Sequence, residues 1–226
     1  MLTGLFLGGK IKIMNKEDAK KYIQEIIYSI ERDVVAALNA FNKHNAINST
    51  KIGFFAIPRM IFPEIDCLAC LYLGNTEKTS QKAVKFMREY FGRVNILYKQ
   101  VSGFFYKTYR HGLMHQHEPK NVTINGQNLF WQISMNHAKF HLKINKPSNH
   151  LILDGSEFLN DFLKAAKLYL DDFNKDVNGI FLKNFNDAFL SMNKPISEEI
   201  IKKHWKNVSI EIDLKFLKSQ LSIFDN

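Results

Sequence analysis

Residues 109–120 place Tyr109, Arg110, His111, Gly112, Leu113, Met114, His115, Gln116, His117, Glu118, Pro119 and Lys120 in a row, directly after the aromatic run Phe104, Phe105 and Tyr106. Three of the chain's eight histidines lie here, beside an arginine and a carboxylate. An arginine can clamp a phosphate through its planar fork of donors, and a histidine can take or give a proton near neutral pH. Together they suit phosphodiester cleavage without a metal.

Two other clusters carry chemistry in principle. His111, His115 and His117, with Glu118, have the spacing of a hydrolytic metal site, although no cluster of acidic partners accompanies them. Cys67 and Cys70 form a lone C-x-x-C in the apolar run Ile65, Asp66, Cys67, Leu68, Ala69, Cys70 and Leu71. A second Cys/His pair at zinc spacing is missing and no strand and turn precede them, so they read as buried helix cysteines.

Arg110, four intervening residues and His115, with the polar His111 directly after the arginine, resemble the Arg-x4–6-His motif of the higher eukaryotes and prokaryotes nucleotide-binding (HEPN) superfamily. His117 fits the permitted spacing as well. The resemblance covers about the first half of the chain and implies a helical fold with metal-independent endoribonuclease activity. It implies that Arg110 holds the scissile phosphate while His115 acts as general base or acid on a ribose 2′-hydroxyl, leaving a cyclic phosphate and a 5′-hydroxyl. His111 would orient the site, and Tyr109, His117 and Lys120 are candidates for substrate contact. The resemblance further implies a homodimer and a role as a toxin or host-defence effector, with RNA and a cognate antitoxin or defence partner as binding partners. No metal or other cofactor is expected. The alternative is a non-catalytic helical RNA-binding or scaffold protein of similar fold.

Composition is compatible with either. The 226 residues are 46% apolar and 13% aromatic, with 19 phenylalanines, enough for a packed core. Lys and Arg outnumber Asp and Glu by 31 to 22, and the net charge of +9 favours a polyanionic partner such as RNA. No apolar run reaches the 18 or more residues of a membrane span, and residues 1–13 have too short an apolar core for a signal peptide. A cytoplasmic protein without membrane association is expected, with Met14 as an alternative start.

Helical elements must position the motif. Asn15 caps a long helix with Ala19, Tyr22, Ile23, Ile26, Ile27, Ile30, Val34 and Leu38 on one face. Pro63 suits the first turn of a second helix that ends at Gly74, Thr76 caps a third, and Gly92 stops it. Asn95 opens the motif helix, whose inward stripe is Leu97, Val101, Phe104, Phe105 and Thr108. On an ideal helix Arg110 and His115 diverge by about 140°. Convergence on one phosphate then needs a broken helix end or a second subunit, with the face around Phe104 and Phe105 available to drive dimerisation.

After Pro119 the apolar period changes to two. Val122 and Ile124, a type I′ turn at Asn125 and Gly126, the segment 129–135, then Phe140, Leu142 and Ile144 read as an antiparallel hairpin with a third strand, and residues 151–153 as a fourth. His137 and His141 would share a face of the third strand, as surface or cross-strand groups. Helices resume behind Asp154 or Ser156, after Gly179, at Ser197 and at Asp213. The fold class expected is therefore mainly α (α+β), a bundle of at least four helices with an inserted β-hairpin or small meander. With no internal repeat or low-complexity linker, residues 1–226 read as one compact domain. Within it lie a variable lead (1–14), a HEPN-like helical part (15–118), a β-insertion (119–153) and C-terminal helices (154–226).

Overall fold

A computed structural model describes residues 13–48, 53–116, 118–135, 137–204 and 211–221. The chain divides into two units, Met1–Met192 and Asn193–Asn226, each considered by itself. The first is a helical assembly carrying a small sheet, so the expected mainly α, α+β class holds.

Helix α1 (Lys16–Ile47) starts where Asn15 accepts the Asp18 amide, and buries Ala19, Ile23, Ile27, Ile30 and Val34. Helix α2 (Ala56–Leu73) starts earlier than its prolines suggest, for it runs straight through Pro63. Pro58 sits in the first turn, where backbone amides have no helical acceptor to lose. Gly74 ends α2 with φ +85, as a left-handed cap should.

Helix α3 (Thr79–Phe86) begins three residues after Thr76 and continues through a π turn (Met87–Phe91) into α4 (Gly92–Val94). Gly92 therefore does not stop it. Its φ is an ordinary helical −63, and the helix ends at the extended Asn95. The motif helix is built alike: α5 (Leu97–Phe105), a π turn (Tyr106–Arg110) and α6 (His111–Gln116).

The strands are β1 (Val122–Ile124), β2 (Gln127–Ser134), β3 (Ile144–Asn145) and β4 (His150–Asp154), in the order β1-β2-β4-β3. Asn125 and Gly126 both have positive φ, +50 and +77, as the expected type I′ turn requires. The sheet is mixed rather than wholly antiparallel, because β4 lies parallel to β2 and only β3 runs against β4. Leu151, Ile152 and Leu153 are all at most 5% exposed, so β4 is apolar on both faces and takes an interior place. The more polar segment around Phe140 forms a short 3-10 turn (Ala138–Phe140) instead of a long strand.

Helix α7 (Gly155–Lys175) is capped by Asp154, which accepts the Ser156 and Glu157 amides through one oxygen and the Ser134 hydroxyl and His137 amide through the other. Its buried stripe, Phe158, Phe162, Ala166, Tyr169 and Phe173, follows the expected spacing. Helix α8 (Ile180–Met192) follows Gly179, and Asn186 on it pairs through its side-chain amide with both backbone groups of Met14. Aromatic rings knit these helices together, with Phe62, Phe105 and Phe158 in mutual contact and Tyr72, Phe86, Tyr90 and Tyr169 forming a second group. Among the described residues no helix is long and apolar enough to cross a membrane.

The second unit contains α9 (Glu198–His204) and α10 (Glu211–Leu221), joined by Glu198 paired to both Lys202 and Lys218. These two cations hold the Glu198 carboxyl well below its ordinary range, at about 2. The helix expected at Ser197 is thus present as α9.

Candidate functional site

Arg110 closes the π turn, and the structure brings its side chain to His115 within one chain: Arg110 Nη1 lies 3.3 Å from His115 Nε2. Neither a broken helix nor a second subunit is needed for this, contrary to the ideal-helix argument. The backbone stays helical from Arg110 through His115, so it is the long arginine side chain that spans the gap. Because an arginine can only donate, His115 Nε2 is the acceptor in this contact.

The rest of the guanidinium is anchored. Arg110 Nε and Nη2 donate to Asp66 Oδ2 at 3.1 and 2.9 Å, and the Tyr106 hydroxyl donates to Asp66 Oδ1 at 2.6 Å. The Arg110 and Asp66 side chains are 25% and 12% exposed, so this is a partly buried pair. Burial pushes the Asp66 carboxyl above its ordinary range, while Tyr106 and Arg110 draw it back down. The Arg110 guanidinium also lies over the Tyr106 ring, 5.9 Å from its centroid. Nη1 is thus the edge that faces the histidines.

His111 and His115 stack loosely, with ring centroids 4.8 Å apart. His111 is half-buried and its Nδ1 lies buried without a hydrogen-bond partner, whereas His115 is exposed. Desolvation, followed by the charges of Lys107 and Lys120, lowers the His111 pKa from 6.5. The neutral form of His111 is thereby favoured, and of the cations near it Arg110 is paired with Asp66.

Gly112 allows the helix to be approached. A Cβ there would lie 2.4 to 2.7 Å from backbone atoms of Glu118, Pro119 and Lys120, which fold back so that the Lys120 amide bonds the Thr108 carbonyl at 3.0 Å. Helix α6 persists through this glycine.

The other expected site residues divide. Lys120 is half-buried at the edge of the cluster. Tyr109 is a correction: fully buried, it donates to the Leu151 and Gln132 carbonyls at 2.5 and 3.2 Å, and so fastens the motif helix to the sheet instead of meeting a substrate. Phe105 is likewise buried in the chain's own core and offers no area to a second copy. His117 lies outside the described residues. Among the described residues no group of three or more His, Cys, Asp and Glu is placed to hold a metal ion. Cys70 is buried, and burial raises both thiols, that of Cys67 to about 12, which disfavours the reactive thiolate.

Sequence reasoning missed Asp66 and Tyr106. A lone carboxylate within the apolar run of α2 was the available signal, since a buried charge calls for a partner. It also misjudged His141, which is 4% exposed: its Nδ1 accepts the Asp154 amide, and its Nε2 lies 3.0 Å from the Tyr98 hydroxyl and 3.4 Å from Asp161 Oδ2. No protein-family model, curated protein or solved structure matches the chain.

Proposed function

We propose that the protein is a metal-independent endoribonuclease of HEPN type, with Arg110 and His115 as its catalytic pair. The 3.3 Å approach of Arg110 Nη1 to His115 Nε2 carries this reading. Nη1 would move onto a non-bridging phosphate oxygen of bound RNA, which releases the Nε2 lone pair to accept the proton of a ribose 2′-hydroxyl. The 2′-oxygen then attacks the adjacent phosphorus as the P–O5′ bond breaks, giving a 2′,3′-cyclic phosphate, and the departing 5′-oxygen takes a proton from water to leave as a 5′-hydroxyl. Asp66 holds the guanidinium in place through Nε and Nη2.

A second reading, a non-catalytic RNA-binding protein, is favoured by one observation: the Asp66 pairing partly neutralises the arginine that would hold the phosphate. Incubating the purified, metal-stripped chain with labelled single-stranded RNA separates the two. Cleavage with a cyclic-phosphate end, reduced about 10²-fold or more in Arg110→Ala and in His115→Ala with circular dichroism unchanged, supports the nuclease. Salt-sensitive RNA binding without cleavage supports the binding protein. A role as a defence effector or toxin, and assembly as a homodimer, belong to the same proposal. Light scattering tests the homodimer, and a monomer that cleaves RNA would remove it.

A further inference from the structure

The sheet has a second face that the proposed nuclease site does not use. Trp131, Ile133, Leu151 and Leu153 pack towards the helical core, so the alternate residues Gln132, Ser134 and Ile152 point the other way. Along the β4 edge beside them runs the segment carrying the 3-10 turn and β3, held by the Leu142 amide on the Ile152 carbonyl and the Ile152 amide on the Lys143 carbonyl. Between the two lies a cavity of about 490 Å³, and none of the residues of the Arg110 cluster lines it.

The lining combines three chemistries. Ile152, 5% exposed, forms an apolar floor, while Phe140 and Ile144, 42% and 51% exposed, form an apolar wall. Lys143 and Lys146 supply positive charge, and no carboxylate is among the lining residues. Asp154, which accepts from the lining residues Ser134 and His137, is fully buried and occupied by four donors. Lys139 Nζ sits 4.8 Å from the Phe140 ring centroid and adds to the cationic character. Gln132, Asn145 and His137 contribute hydrogen-bonding groups. His137 Nδ1 donates to the Met135 carbonyl at 2.8 Å, which leaves Nε2 for a ligand.

An exposed aromatic ring, an apolar floor, two lysines and convergent amides call for a ligand that is flat and apolar at one end and anionic at the other. The volume suits one such molecule of nucleotide size, since small-ligand sites span about 300 to 1,000 Å³. We propose that this cavity binds a nucleoside monophosphate, free or as the terminal nucleotide of an RNA, with its base against Phe140 and Ile144 and its phosphate on Lys143 and Lys146. The proposal is independent of cleavage at Arg110.

Isothermal titration of the full chain with the four ribonucleoside 5′-monophosphates, inorganic phosphate, adenosine and a 5′-phosphorylated tetranucleotide tests it. At least one monophosphate or the tetranucleotide should bind with a dissociation constant below about 1 mM, and more tightly than phosphate or adenosine alone. Tighter binding of the tetranucleotide identifies an RNA end as the source, and equal binding a free nucleotide. Phe140→Ala should weaken binding about tenfold through lost stacking. Lys143→Gln with Lys146→Gln should weaken it by a similar factor and flatten its salt dependence. Absence of binding by all these ligands at about 5 mM, equal affinity for inorganic phosphate, or undiminished affinity in the folded cavity variants would overturn the proposal.

Discussion

At the scale of single residues, the Arg110 guanidinium has two edges with different tasks. Nε and Nη2 are spent on Asp66, and Nη1 faces His115. Replacing Asp66 by Asn keeps the shape but removes the counter-charge. RNA cleavage is then expected to fall about tenfold, chiefly in kcat, because the guanidinium loses its orientation while its charge remains. Steady-state kinetics on the variant check this, with Arg110→Lys as a comparison that keeps charge but lacks the fork. His111 gives a pH signature. Its pKa is lower in the folded chain than the ordinary 6.5, so just below 6.5 the unfolded chain binds more protons than the folded one. Its contribution to stability is present above about pH 6.5 and is lost as pH falls through the lowered value. Thermal melts between about pH 5 and 7 should show midpoints rising with pH, with a smaller slope in His111→Asn.

Among elements, the π turn and Gly112 decide where the site stands. The π turn precedes His111 and joins two α-helical stretches without a break, while Gly112 lets the 118–120 backbone rest on the helix. Gly112→Ala would put a methyl group within 2.7 Å of main-chain atoms that belong to no flexible side chain. A loss of about 1 to 3 kcal/mol is expected, together with displacement of His115 or of the 118–120 strap. Urea unfolding measures the first, and histidine NMR shifts report the second. Glycine here serves close approach, so its poor helix propensity is the smaller effect.

For the molecule as a whole, burial concentrates in residues 14–189, where α1, α2, the motif helix and α7 share one core. His141 joins the sheet side of that core to α5 and α7 through the Asp154 amide, Tyr98 and Asp161. His141→Ala leaves these buried groups without their partner and is expected to cost about 2 to 4 kcal/mol. Guanidinium titration would reveal it, and a change under about 0.5 kcal/mol would mean that water replaces the ring.

Local signals determined what depends on neighbours in the chain. Asn15 and Gly74 cap α1 and α2, Asn125 and Gly126 make the hairpin turn, and the three- and four-residue apolar spacing of α1 and α7 marks their buried faces. The Arg110 and His115 pairing was legible as a spacing. Its geometry was not, since an angle between helix positions says nothing of how far a long arginine side chain reaches or of the Asp66 that anchors it. Only the tertiary structure brings Asp66 from α2 to Arg110, buries Tyr109 against the sheet, and sets β4 parallel to β2. Each of these joins residues more than 20 positions apart in the chain or, in the sheet, exactly that far, where partner choice follows from competing burial instead of local propensity.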